Sequence, residues 1–120
     1  NKMDKMGVFR AKNTHVKGIK RTIQQAEEAH SSANQDEVLT SLHKSIQLII
    51  SAVTGLSSAE SEKGAVEKAL IKKKVAETDI KKLISLWEKI EFSRFAPVKK
   101  EDESQMISDL KTVFQNLFNA

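Results

Sequence analysis

Three histidines, His15, His30 and His43, are the side chains of this sequence with the greatest capacity for chemistry. An imidazole works as a general base or as a metal ligand, but both tasks need partners at set spacing. None of the three stands four residues from another, and no His-Glu-x-x-His core is present. If the helices carrying His30 and His43 run antiparallel, the two rings approach each other with Glu27 or Glu28 nearby. Two imidazoles and a carboxylate can hold a divalent ion. Solvated or half-buried imidazoles are the simpler reading and the preferred one. The glycines stand at 7, 18, 55 and 64, which makes neither a phosphate loop nor a dinucleotide pattern. There is no Cys, so disulfides and Cys-based zinc sites are excluded. Ser and Thr are numerous, but they fall in loops and caps, where they satisfy free backbone groups. The expectation is a non-catalytic protein with no metal and no cofactor.

Charge is the other chemical signal. The net charge of +4 is unevenly placed: Lys2, Lys5, Arg10, Lys12, Lys17, Lys20 and Arg21 face Asp4 alone, and acids outnumber bases in the rest of the chain. A basic block at one end suits nucleic acid, an anionic membrane surface, or the cytoplasmic flank of a transmembrane helix. A merely solvated tail is the bland alternative. Tyr is absent, and the Phe and Trp residues fall on apolar stripes, so no stacking platform for bases is visible; this argues against nucleic acid. Lys72, Lys73 and Lys74 read first as a helix end, where cations complement the dipole, and second as an anion or nucleic-acid contact.

Helices must position these groups. The chain has 120 residues, 39% apolar and 30% charged, with one Pro and four Gly. A β-sandwich would need far more turn signals. From about Asn13, Val16, Ile19, Ile23, Ala26, Ala29 and His30 mark one helical face. The segment 31–35 is a linker, with Asp36 as the expected N-cap of a second helix reaching Thr54 and closed by Gly55. Its stripe is Val38, Leu39, Leu42, Ile46, Ile49, Ile50 and Val53. A Ser-rich loop over 56–61 leads to a short helix, about 62–73, with Val66, Ala69 and Leu70 inward.

A fourth helix, about 77–92, carries Ile80, Leu83, Ile84, Trp87 and Ile90, with Thr78 or Asp79 helping to cap it. Pro97 ends that pattern. The last helix starts near 100–103 and turns Met106, Ile107, Leu110, Val113, Phe114 and Leu117 inward. Trp87 and Phe114 are the expected centre of the second half. The prediction is an all-α fold, a compact bundle of about five helices, with residues 1–12 as a basic juxtamembrane-like arm and 13–120 as one domain. No fixed-period repeat occurs. No apolar run approaches the roughly 18–20 residues that span a bilayer, and no signal peptide is visible. The start at Asn1 is read as the edge of a fragment or a cloning scar.

The segment from Trp87 to Pro97 ends a helix in an aromatic–Arg–aromatic cluster followed by a Pro turn. It resembles the CEFARYAP-like stretch near the C-terminal end of BatD-family proteins, the oxygen-tolerance (aerotolerance) proteins of bacteria. Glu91, Phe92, Arg94, Ala96 and Pro97 match; Ile90 replaces a frequent Cys, Ser93 an Ala and Phe95 a Tyr. The similarity of layout covers about Lys12 to Phe118, with 70–97 the specific part. Lys74 stands where that family usually has Gly, and Ala76 where it usually has a Ser or Thr cap.

The resemblance implies the cytoplasmic helical tail of a bacterial inner-membrane protein, with the basic arm as its positive-inside flank. It also implies partners: von Willebrand factor A-type membrane proteins and a MoxR-type ATPase. No catalytic residue carries over. Glu91, Phe92, Arg94, Phe95 and Pro97 are the expected binding residues; Arg94 and Phe95 either lock the last two helices together or present a contact surface, with locking preferred. The alternative is a free-standing basic helical protein that binds nucleic acid or anionic lipid through residues 2–21.

Overall fold

The structure, a computed structural model, describes residues 13–93 and 95–118. The arm expected over 1–12, with Lys2, Lys5, Arg10 and Lys12, lies outside the described residues, as does Arg94. Five helices account for most of the described residues: α1 (Asn13–Ser31), α2 (Gln35–Thr54), α3 (Lys63–Lys72), α4 (Glu77–Phe92) and α5 (Lys100–Phe118). There is no strand among the described residues, and the all-α bundle expected from the apolar periodicity is what forms.

Local backbone chemistry sets the corners. At the end of α1, the Asn34 amide donates to Ala29 O and the Ala33 amide to His30 O. That pair of bonds needs a left-handed residue at its centre, and Ala33 supplies it at φ 57°. Asn34 then caps α2 by accepting from the Glu37 amide at 3.3 Å. The cap expected at Asp36 is therefore corrected to Asn34. Asp36 sits inside the first turn, where its charge suits the positive end of the helix without closing it. Gly55 ends α2 at φ 76° and donates to Ser51 O, as a left-handed closing residue should.

The corner after α3 repeats the device of α1. The Val75 amide donates to Leu70 O, the Lys74 amide to Ile71 O, and Lys74 is left-handed at φ 65°. An L-residue pays about 1–2 kcal/mol for that conformation. Val75, next in line, is buried and anchors the turn. Ala76 is the N-cap of α4 and makes no side-chain cap bond. The expected help from Thr78 or Asp79 is absent for a geometric reason: the buried Asp79 carboxylate reaches across to accept from Asn116 Nδ2 at 3.0 Å.

The stripes interlock into one core. Ile19, Ile23, Ala26 and Ala29 of α1 lie against Val38, Leu42, Ile46, Ile49 and Ile50 of α2, all buried. Small polar residues let these two helices approach: Thr22 donates to Ile19 O, and the Ser45 hydroxyl lies 2.6 Å from Thr22 Oγ1 and 2.9 Å from Ser41 O. Ser45 has one proton to give, so it serves one acceptor at a time. Pairing of Glu27 with Lys111 and of His30 with Glu103 shows that α1 and α5 are antiparallel.

Trp87 and Phe114 both belong to this one buried core. Trp87 faces α2 and α3, with Lys63 Nζ 4.9 Å from its ring centroid, whereas Phe114 packs on Phe118 and lines a hollow with Ile23 of α1. No helix among the described residues is long and apolar enough to cross a membrane.

Candidate functional site

α4 ends at Phe92 because the turn that follows closes on itself: the Ser93 amide donates to Lys89 O, the Phe95 amide donates to Phe92 O at 2.9 Å, and Pro97 prevents continuation. That turn throws two aromatic rings outward. Phe92 is 66% exposed and Phe95 84%, against a background in which the stripe residues are buried or half-buried. Their centroids lie 6.4 Å apart with the planes tilted by 56°, a favourable edge-biased arrangement. Phe95 therefore does not lock α4 to α5, which corrects the preferred expectation. Its position three residues past the helix end leaves it the Phe92 ring to rest on.

Beside the pair runs an open groove of about 580 Å³, walled by Glu88, Lys89, Phe92, Pro97, Val98 and Met106. Pro97 is exposed at its lip. Glu91 points the other way and pairs with Lys63, whose ammonium also covers Trp87. Glu91 thus ties α3 to α4, while Phe92, Phe95 and Pro97 form the outward surface.

A polar latch behind the groove holds the loop that carries Phe95 and Pro97. The Gln35 amide donates to Val98 O and accepts from the Val98 amide at 3.1 Å, imitating one rung of a strand ladder. Its second N–H donates to Glu103 Oε2 at 2.7 Å, and the other carboxylate oxygen accepts from His30 Nδ1, also at 2.7 Å. Both carboxylate oxygens of the buried Glu103 are thereby used. Sequence reasoning missed this latch. The legible signal was phase: Glu103 stands three and four residues before Met106 and Ile107, on the buried stripe of α5.

The imidazoles do not meet. His30 belongs to the latch, and His43 lines a separate hollow with Gln47, Ser58 and Trp87. Glu27 is engaged by Lys111 at 2.9 Å. No group of three His, Asp or Glu side chains placed to hold a metal occurs among the described residues. In that second hollow the buried Ser58 hydroxyl has no hydrogen-bond partner among the described residues. Lys17, Lys20 and Arg21 lie exposed along the outer face of α1, with the apolar stripe opposite.

Compared with protein-family models, curated proteins and solved structures, the chain matches none.

Proposed function

We propose that this chain is a non-catalytic protein-interaction domain, the cytoplasmic tail of a BatD-like aerotolerance membrane protein acting with von Willebrand factor A-type and MoxR-type partners. The observation that carries the reading is the solvent-facing pair Phe92 and Phe95 beside an apolar groove, within the segment that resembles the family motif. Exposed aromatic rings next to a cleft are the usual anchors of a protein contact. A second support comes from the two departures from the family pattern. The family's usual Gly falls at Lys74, which is left-handed, and its usual Ser or Thr at Ala76, an N-cap without a capping side chain. The backbone thus asks for the family's residues where this chain lacks them.

The test is co-purification of the sibling membrane proteins with the parent protein, before and after Phe92→Ser and Phe95→Ser. Loss of association with an unchanged helical circular-dichroism spectrum is the expected result. Association that survives the double change, or survives removal of the whole tail, refutes the proposal.

A further inference from the structure

The bundle is electrically polar along its length, and the topology shows how. Because α1 and α5 are antiparallel, the first turns of α1 lie beside the last turns of α5. Asn116 in that last stretch bonds Asp79 at the start of α4, so the α3–α4 corner sits at this same end. Residues 67–82 hold six lysines, Lys68, Lys72, Lys73, Lys74, Lys81 and Lys82, against Glu67, Glu77 and Asp79. Asp79 is buried, and Glu77 is within 3.9 Å of Lys81. Lys72, Lys73 and Lys74 are exposed, and no ion pair among the described residues engages them. Ile71 stands among them, 58% exposed. The opposite end gathers carboxylates, Glu27 and Glu28 late in α1, Asp36 and Glu37 opening α2, and Glu101 and Asp102 in the first turn of α5, against Lys99 and Lys100 beside them and Lys111 paired with Glu27.

We propose that the α3–α4 corner is a second membrane contact, in which Lys72, Lys73 and Lys74 lie over anionic lipid headgroups and Ile71 enters the headgroup layer. The idea rests on the reading of the chain as a membrane-protein tail and adds a folded contact to its leading arm. Dipole complementation accounts for Lys72 and Lys73 at the helix end. It does not account for Lys74, which lies past the last turn in a conformation Gly would adopt without strain. A cation kept there at a backbone cost points to a use for its charge. Ile71 decides between the anionic partners. A bare apolar side chain between lysines gains by leaving water for a headgroup layer and gains nothing on a phosphate backbone.

The chain has no Cys, so a single introduced thiol reports cleanly. Ile71→Cys in the full chain, labelled with an environment-sensitive dye, should shift to the blue with vesicles of phosphatidylglycerol and phosphatidylcholine. It should not respond to pure phosphatidylcholine. The same label on Ser104→Cys, at the acidic end, should stay in water. Each lysine near an anionic surface is worth about fivefold in partition. Changing Lys72, Lys73 and Lys74 together to Gln should therefore lower binding by up to about a hundredfold. Lys74→Gly alone should lower it by about fivefold while preserving the fold.

A silent label at 71, unchanged partition of the triple variant, or a stronger response to short duplex DNA than to the anionic vesicles overturns the proposal. The partner reading is judged separately. Phe92→Ser with Phe95→Ser should leave vesicle binding intact, so a lipid response without partner association sinks that reading alone, and the reverse sinks this one alone.

Discussion

Gln35→Ala removes three hydrogen bonds with one side chain. The Val98 amide and carbonyl lose their partner, and Glu103 keeps only His30. Each such bond contributes about 0.5–1.5 kcal/mol net, and leaving a buried group unpaired costs about 1–3 kcal/mol. Gln35 and Val98 are half-buried, so water replaces part of what is lost, and about 2 kcal/mol is the expected total. For a domain of this size that lowers Tm by about 10 °C.

The loss should be uneven. Val98 precedes α5 by two residues and follows Pro97, so the loop bearing Phe95 should loosen while the α1–α2 pair stays intact. Amide hydrogen exchange reads this directly: protection at Val98 should fall well before that of Ile46 or Ile49 in the core. Urea unfolding followed by circular dichroism gives the global figure. Unchanged exchange at Val98 together with an unchanged midpoint would refute the latch as the element that holds the loop.

Two corners should respond to replacements that suit their backbone. Lys74→Gly and Ala33→Gly each relieve a left-handed L-residue, and each should stabilise by about 0.5–1 kcal/mol after the entropy of Gly is set against the relief; the urea midpoint reads both, and a fall in either shows the corner is held otherwise. Ala76→Ser supplies the missing N-cap of α4 and should add about 1 kcal/mol by the same assay, provided its hydroxyl meets an amide of the first turn.

The helices were legible because each one carries a one-sided apolar stripe of helical period, and burial of that stripe is the dominant local constraint. The end of α4 was legible too, since Pro97 forbids continuation whatever surrounds it. Capping was read less well. Asn34 and Asp36 both offer a carbonyl or carboxylate near the start of α2, and which one caps depends on where the left-handed Ala33 leaves the chain. The latch was invisible for a different reason. Gln35 reads as a linker residue and Glu103 as a helix-opening acid, and only the crossing of the α1–α2 corner with the loop before α5 makes them partners 68 residues apart in sequence. Phe95 was read as packing because aromatic–Arg clusters often pack. Its exposure follows from a turn that carries it beyond the reach of α5.

Two local features that do not serve helix stability act on the same end of the molecule. α2, α4 and α5 each place acids in their first turn, as the dipole favours, but α1 and the short α3 place none there, and α1 opens onto Lys17, Lys20 and Arg21. At the neighbouring corner, Lys74 holds a cation on backbone suited to Gly. Neither feature helps the element that contains it, and both raise the positive potential of one end. Meanwhile the aromatic pair at the end of α4 is backed by a latch built around a carboxylate at the opposite end. A bundle so divided carries exposed lysines at one end and, at the other, the solvent-facing Phe92 and Phe95 pair.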